Sequence, residues 1–157
     1  MDYTRQELIN LARTIAGTFN LDPSLVCALV ENESSWLPNA VRFEEQFYEH
    51  YEKALKLPES EELGRSASYG LTQIMGQTAR EYGFKENFRL LYDPEVNLHL
   101  GCQKLRRCLD LHGWKVRDAL LAYNGGSDLK YPDRVLGRQP KYWAKPAGGV
   151  EENALAS

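Results

Sequence analysis

Two Asp-Pro pairs, at residues 22–23 and 93–94, each stand directly before a stretch whose apolar residues recur at helical spacing. Asp is a preferred N-cap residue, and proline is well tolerated at the first position of a helix. The pairs therefore predict one helix over residues 23–33 and a longer helix over residues 94–112. Such strong start signals before long periodic stretches constrain the chain towards a helical fold.

The rest of the chain supports the same fold class. Thr4 and Glu7 form the pattern of a capping box, and the spacing that follows predicts a helix over 5–17. Alternation of apolar and polar residues, which marks strands, is confined to a short stretch at 69–74. We therefore predict a mainly α domain with at most a minimal β element. The other expected parts are helices over 43–56, 76–82 and 116–123, a loop over 57–70, turns with short helices over 126–146, a single domain over 1–146 and a flexible tail over 147–157.

Composition and charge exclude several classes of protein. The 157 residues carry 19 Lys and Arg against 22 Asp and Glu, a net charge of −3, whereas a nucleic-acid-binding domain usually has a basic excess. No stretch approaches the roughly 18 consecutive apolar residues of a membrane span. The N-terminus carries charges where a signal peptide would have an apolar core. We expect a soluble, monomeric protein that is made in the cytoplasm without a signal peptide.

The cysteines do not predict a metal site. Cys27, Cys102 and Cys108 form no CxxC pair, and the three histidines do not cluster with them. We expect reduced, packed thiols and neither a metal nor an organic cofactor. Nine Tyr and three Trp are many for a small domain, and they indicate a partly apolar cleft in addition to a core.

Glu33 is a catalytic candidate from the residues alone. It follows Leu29 by four positions and Val30 by three, so it lies on or beside the apolar face of its helix. Burial and the negative end of the helix dipole both raise the pKa of a carboxyl group, as a general acid near neutral pH requires. The alternative is a glutamate at the rim of that face with its carboxylate in water. Glu31 is predicted to face solvent.

Three further segments have both a functional and an ordinary structural interpretation. The glycine that opens residues 70–74 is more typical of a packed structural turn, with a close approach of backbone to a ligand as the alternative. Residues 123–126, Tyr-Asn-Gly-Gly, are typical of a helix end, although the Tyr hydroxyl could point into a cleft. Phe43, Phe47 and Tyr51 recur at every fourth position, which favours core packing.

Taken in order, four segments resemble the sequence blocks of soluble lytic transglycosylases, which are related to goose-type lysozyme in glycoside hydrolase family 23. The family blocks are ES-x-x-x-P-x-A, GLMQIMPxTA, DPxxNIxxG and AYNxG. The corresponding segments here are ESSWLPNA at 33–40, GLTQIMGQTA at 70–79, DPEVNLHLG at 93–101 and AYNGG at 122–126. The agreement of four blocks in the same order indicates membership of that family.

The resemblance implies a lysozyme-like α fold that cleaves the β-1,4 bond between N-acetylmuramic acid and N-acetylglucosamine in peptidoglycan. The catalytic acid of the family corresponds to Glu33. By the same match, Gln73 and Tyr123 would line the sugar subsites, and Asn124 would shape the same wall. Tyr123 would also help to orient Glu33 or the N-acetyl group of the substrate.

Three positions depart from the family blocks. Arg42 stands where the family often has a serine after the ES block, Thr72 replaces the usual methionine, and Gly76 replaces the usual proline. The segment between the first two blocks is also long. The role of this insertion over residues 42–65 is left open by the sequence.

The run RFE…FY at 42–48 in the insertion also resembles phage and prophage muramidases, together with the runs SASYG at 66–70 and IMG at 74–76. In those proteins the acid of RFE lies near the cleft, which points to Glu44 as a candidate second carboxylate. Ser68 and Tyr69 are candidate substrate-binding residues. Weaker candidates are Glu45, Glu59, Glu61 and Glu62 for the second acid and Tyr142 for the cleft.

Three functions follow from these resemblances. A lytic transglycosylase, which we favour, would use Glu33 as acid and then as base and would leave 1,6-anhydro ends. An inverting muramidase would activate water with Glu44. A non-catalytic phage tail domain would bind the cell wall only. Without a signal peptide, the protein is expected to reach peptidoglycan from a phage, by holin-dependent release or on the virion, with a bacterial secretion-system enzyme as the alternative.

Overall fold

The structure is a computed structural model that describes residues 2–144. Its elements, in chain order, are α1 (Arg5–Thr18), α2 (Pro23–Ser34), β1 (Val41–Phe43), α3 (Glu45–Phe47), α4 (Glu59–Arg65), β2 (Ala67–Tyr69), β3 (Ile74–Met75), α5 (Gly76–Glu81), α6 (Pro94–Leu111), α7 (Val116–Tyr123) and α8 (Tyr131–Arg138). A π-helical turn spans Tyr48–Glu52, and 3₁₀ turns span Lys53–Leu55, Phe88–Tyr92 and Gln139–Tyr142. The tail predicted over 147–157 lies outside the described residues, and the single domain over 1–146 stays a prediction.

The helix starts expected from local sequence are confirmed. The side chain of Thr4 accepts from the backbone of Glu7, and the carboxylate of Glu7 accepts from the backbone of Thr4, which completes the capping box of α1. Asp22 and Asp93 each accept a hydrogen bond from a backbone N–H of the first turn that follows. Each cap satisfies N–H groups that have no partner inside the helix.

Five helices, α1, α2, α6, α7 and α8, enclose the main hydrophobic core. Leu29, Leu105 and Leu120 are fully buried there, and α2 is buried along most of its length. Burial of these faces stabilises helices that would be marginal in isolation. No helix within residues 2–144 is long and apolar enough to cross a membrane.

A small antiparallel sheet with the strand order β1-β2-β3 stands beside this core. Val41 pairs with Tyr69, and Ser68 pairs with Met75. Tyr69, Ile74 and Leu91 belong to a second hydrophobic cluster that packs beneath the sheet. The prediction of a mainly α fold with a minimal β element is confirmed.

The single helix predicted over residues 43–56 is wrong. The segment forms the end of β1, the one-turn helix α3, a π-helical turn and a 3₁₀ turn. The predicted apolar stripe is also not part of the core, because Phe43 is 47% and Tyr51 is 64% exposed. A long helix gains little stability when no face of it is buried, so this segment divides into short turns.

Residues 57–70, predicted as a loop, contain α4 and β2. Three glutamates in the first turn of α4 favour the helix, since they lie at its positive end. α4 approaches α5 so closely that a Cβ at residue 76 would lie 2.1 Å from the carbonyl oxygen of Gly64. This close approach explains why Gly76 stands where the resembled family has proline.

Candidate active site

Glu33 lies in the last turn of α2, and its side chain lines a cavity of about 710 Å³. The helix ends directly after it, because Ser35 and Trp36 both have left-handed backbone conformations, with φ of 50° and 64°. Ser34 donates a hydrogen bond to the carbonyl oxygen of Leu71 at 2.8 Å, which fixes the end of α2 against the turn between β2 and β3. The carboxyl group of Glu33 is therefore held at the border between core and cavity.

The cavity is enclosed by the end of α2, the small sheet, the segment after β1, α6 and the end of α7. Its volume lies within the range typical of ligand-binding sites. Six candidates from the sequence meet in it: Glu33, Glu44, Ser68, Gln73, Tyr123 and Asn124. The cavity is also lined by Arg42, Gln46, Phe47, His50, Tyr51 and Lys104.

The surroundings of Glu33 favour a protonated carboxyl group. Burial raises the pKa of Glu33 above its ordinary value of 4.5, and this effect outweighs the others. The hydroxyl of Tyr131 donates a hydrogen bond to Oε1, and the positive charge of Lys104 lies nearby; both lower the pKa. Burial raises the pKa of Tyr131 far above its ordinary value, so this residue remains a donor. The arrangement favours the protonated carboxyl group more than water does, and it also supports the carboxylate after the proton has left.

Tyr123 and Lys104 form one wall beside Glu33. The hydroxyl of Tyr123 donates to the carbonyl oxygen of Thr72 at 2.8 Å, so the contact that orients Glu33 comes from Tyr131 instead. Nζ of Lys104 donates to the carbonyl oxygen of Tyr123 at 2.9 Å and lies 4.2 Å from the centre of its ring. Burial lowers the pKa of Lys104. The ammonium group is thus fixed in place at the carboxyl end of α7.

The turn between β2 and β3 places Gln73 on the cavity wall. Asn97 holds this turn: its Nδ2 donates to the carbonyl oxygen of Tyr69 at 2.8 Å, and its Oδ1 accepts from the backbone N–H of Thr72 at 2.9 Å. Gly70 has a φ of 70°, and a Cβ there would lie 2.5 Å from Asn97 Nδ2. Nε2 of Gln73 donates to two backbone carbonyl oxygens at 3.0 and 3.2 Å, which orients its amide.

Glu44 lies directly after β1 and lines the same cavity as Glu33. Its Oε1 accepts a hydrogen bond from Ser68 at 3.2 Å and forms an ion pair with Arg42 at 2.7 Å. Arg42, where the resembled family often has serine, therefore has a contact of its own in this protein.

Two tyrosines that were candidates for the cleft are buried elsewhere. Tyr69 donates to the carbonyl oxygen of Gly64 at 2.9 Å, and its ring stacks on Phe88 at 6.0 Å in the second hydrophobic cluster. Tyr142 donates to Glu31 at 2.7 Å on the far side of α2. Neither lines the cavity.

The described residues show little scope for metal binding. Within residues 2–144, no group of three or more His, Cys, Asp or Glu side chains is arranged to hold a metal ion. Cys27 and Cys102 are buried free thiols, and Cys108 is a half-buried one. Burial raises the pKa of Cys27 to about 11 and that of Cys102 to about 12, so both stay protonated.

The sequence profile of the transglycosylase SLT domain family matches residues 10–132, which include the residues that line the cavity. This chain belongs to that family. A protein named Transglycosylase from Enterobacteria phage PRD1 is 33% identical to it over 129 residues, which cover 77% of this chain and 38% of the relative. The chain therefore spans well under half of that relative's length. No solved structure matches the chain.

The SLT domain contains two site residues that the sequence did not single out, Tyr131 and Lys104. Tyr131 is the first residue of α8 and lies 98 positions from Glu33, so no local pattern links the two. For Lys104 a signal exists in the sequence, because it lies three residues after Gly101 and four before Cys108. A lysine on a helix face formed by small and apolar residues is uncommon unless it is paired or functional.

The prediction that Glu31 of this SLT domain faces solvent is wrong. Burial acts to raise its pKa, but the hydrogen bonds that it accepts outweigh burial and lower the pKa to about 2. These bonds join α2 to α1, to α8 and to the 3₁₀ turn that follows α8. The donors are Lys141 at 2.7 Å, Tyr142 at 2.7 Å, Arg138 at 3.0 Å and Arg5 at 3.3 Å.

Proposed function

We propose that this SLT domain is a lytic transglycosylase that cleaves the β-1,4 bond between N-acetylmuramic acid and N-acetylglucosamine, with Glu33 as general acid and then general base. The observation that carries the proposal is the half-buried carboxyl group of Glu33, which lines the cavity and accepts a hydrogen bond from Tyr131. Burial keeps this group protonated at a pH where an ordinary glutamate is ionised.

The reaction has two proton transfers through the same carboxyl group. Glu33 first donates its proton to the glycosidic oxygen, while the C1–O bond breaks through an oxocarbenium-like transition state. The C6 hydroxyl of the muramic acid then attacks C1 and gives its proton to the Glu33 carboxylate. The products are a 1,6-anhydro end and a free 4-hydroxyl, Glu33 is protonated again, and no water is consumed.

The residues around Glu33 support both transfers. The hydroxyl of Tyr131 and the ammonium group of Lys104 stabilise the carboxylate that forms after the first transfer. Gln73, with its amide oriented by two backbone carbonyls, and Asn124 at the end of α7 are placed to bind the N-acetyl and hydroxyl groups of the sugars. Ser68 holds Glu44 and lines the same wall.

Hydrolysis by an inverting muramidase is the second candidate function, and Glu44 is the observation that favours it. Its carboxylate lines the same cavity as Glu33 and is held by Arg42 and Ser68. In inverting glycosidases a second carboxylate activates water across a gap of roughly 6.5–9.5 Å from the acid. Under this mechanism the products would carry reducing ends.

The two functions differ in their products. Purified peptidoglycan is digested with the wild-type protein, with Glu33→Gln and with Glu44→Gln, and the fragments are measured by mass spectrometry in water enriched in ¹⁸O. Anhydro fragments without ¹⁸O, lost in Glu33→Gln and retained in Glu44→Gln, support the transglycosylase. Fragments with one ¹⁸O and loss of activity in Glu44→Gln favour the muramidase. Wall binding without any fragment from the wild-type protein would leave a binding domain only.

The place of action follows from the substrate. Peptidoglycan strands lie in the cell wall, so we propose that the domain acts there, as a phage-borne or phage-released enzyme. The phage source of the curated relative supports this origin. Holin-dependent release and a monomeric state remain part of the proposal, and an assay of cell lysis with and without a co-expressed holin tests the first of them.

A further inference from the structure

The segment after β1 forms a wall of the cavity that the proposed chemistry does not use. Phe47 and Tyr51 line the cavity, with ring centres 5.1 Å apart and ring planes inclined by 36°. Tyr51 is 64% exposed, so much of its side chain is accessible to a ligand in the cavity. We refer to Phe47 and Tyr51 together as the aromatic wall.

The backbone of this segment explains why the rings face the cavity. α3 continues directly into the π-helical turn Tyr48–Glu52, and π-helical turns occur frequently at functional sites. At the far end of the turn, Glu52 is buried with 1% of its surface exposed, and at the near end the ring of Tyr48 packs against Phe43 at 5.7 Å. The turn is thus packed inwards at Glu52, while Phe47 and Tyr51 line the open cavity.

A polar group stands beside the rings. Nδ1 of His50 lies 2.7 Å from the carbonyl oxygen of Gln46, and because a carbonyl oxygen only accepts, Nδ1 carries the proton. In the neutral imidazole, Nε2 is then an acceptor for a hydroxyl or an N-acetyl N–H. Both His50 and Gln46 line the cavity with the aromatic wall.

We infer that the aromatic wall is a sugar-binding subsite, in which Phe47 and Tyr51 pack against the C–H face of a hexosamine ring of the glycan strand, away from the bond that is cleaved. Aromatic faces next to polar acceptors suit a ring with apolar faces and polar edges. The ligand class rests on the proposed function, since a glycan strand that reaches Glu33 continues along the same cavity. The insertion thereby acquires a role in holding the strand.

Binding is measured in a Glu33→Gln background, which removes the catalytic acid and leaves the cavity. The probe is a chitin tetrasaccharide, which has N-acetylated sugar rings and no peptide, and the dissociation constant is determined by calorimetry. We expect Tyr51→Ala and Phe47→Ala each to weaken binding roughly tenfold, while Tyr51→Phe retains most of it. Tyr3→Ala, at an exposed tyrosine outside the cavity, serves as the matched control and should not change it.

The outcomes separate this inference from the proposed function. If the Glu33→Gln parent binds the tetrasaccharide and both alanine variants bind it equally well, the subsite is refuted and the proposed function stands. If the parent does not bind the tetrasaccharide at all, the subsite is refuted, and the proposed function is decided by the products released from peptidoglycan. In the otherwise wild-type enzyme, we expect Tyr51→Ala to raise KM with little change in kcat and with the same products; a fall in kcat alone would contradict a pure binding role.

Discussion

The hydroxyl of Tyr131, at the first residue of α8, donates a hydrogen bond to Oε1 of Glu33 at the end of α2. The two residues are 98 positions apart in the chain. The carboxyl group of Glu33 is therefore oriented by a donor that stays protonated, since burial raises the pKa of Tyr131 far above its ordinary value.

Replacement of Tyr131 by phenylalanine should impair catalysis while leaving the fold intact. Loss of a hydrogen bond to a charged group costs enough to lower kcat roughly 10- to 100-fold. The bond favours the carboxylate, so its removal should also raise the pKa of Glu33 and move the alkaline limb of the activity profile to higher pH. Steady-state kinetics across pH test both effects. Tyr123→Phe, whose hydroxyl contacts the backbone of Thr72, is the control that should leave the limb in place.

The charge of Lys104 should also influence the pH of this alkaline limb. Burial raises the pKa of Glu33, and the positive charge of Lys104 lowers it in part. Activity requires protonated Glu33, so in the wild type it should fall as pH rises through a value above the ordinary 4.5. Lys104→Met removes the opposing charge and should shift the limb upwards, whereas Lys104→Arg should keep it near the wild-type position. Identical limbs in all three proteins would contradict this account.

Glu31 should make the stability of the fold depend on acid. Its pKa is about 2 in the folded protein against 4.5 ordinarily, so it stabilises the fold above pH 4.5, and this contribution is lost as pH falls towards 2. Glu31→Gln should lower the free energy of unfolding at pH 7 by roughly 1–3 kcal/mol and weaken the pH dependence. Urea unfolding at pH 7 and pH 3 measures both, with Glu45→Gln at an exposed position as the control.

Replacement of Asn97 by aspartate should destabilise the fold. Its side chain is fully buried and donates to the carbonyl oxygens of Tyr69 and Leu91, both at 2.8 Å. Asn97→Asp would set a carboxylate oxygen against these carbonyls and should cost roughly 2–4 kcal/mol of stability. Thermal unfolding measures this cost, and Asn39→Asp at an exposed position is the matched substitution. Equal melting temperatures for the two variants would refute the role of Asn97 in holding the turn.

The net charge of −3 predicts weak dependence of wall binding on salt. Long-range attraction to an anionic wall requires an excess of positive charge, which this chain lacks. Binding of Glu33→Gln to purified peptidoglycan should therefore change little between about 0.05 and 0.3 M salt. A steep loss of binding over that range would show that attraction at a distance, and not contacts in the cavity, holds the wall.

The main helices and their starting residues could be predicted because the signals are local. The caps at Thr4, Asp22 and Asp93 join groups two or three residues apart, and the apolar periodicity that follows each cap spans only a few turns. The position of Glu33 beside an apolar face followed from the same spacing. The same spacing led to a wrong prediction of one helix over residues 43–56. An apolar stripe stabilises a long helix only if another element covers it, and here Phe43 and Tyr51 are exposed.

Local sequence was thus sufficient for the fold class and for the starts of α1, α2 and α6, and it placed Glu33 beside an apolar face, while its role as the acid stays a prediction. The partners of the acidic residues were set by packing between distant segments: Tyr131 reached Glu33, and Lys141 and Tyr142 reached Glu31, across about a hundred residues. Hydrogen bonds of this kind depend on where whole helices lie in the core. No spacing within one helix could therefore have assigned Tyr131 to the acid in place of Tyr123, or have buried Glu31.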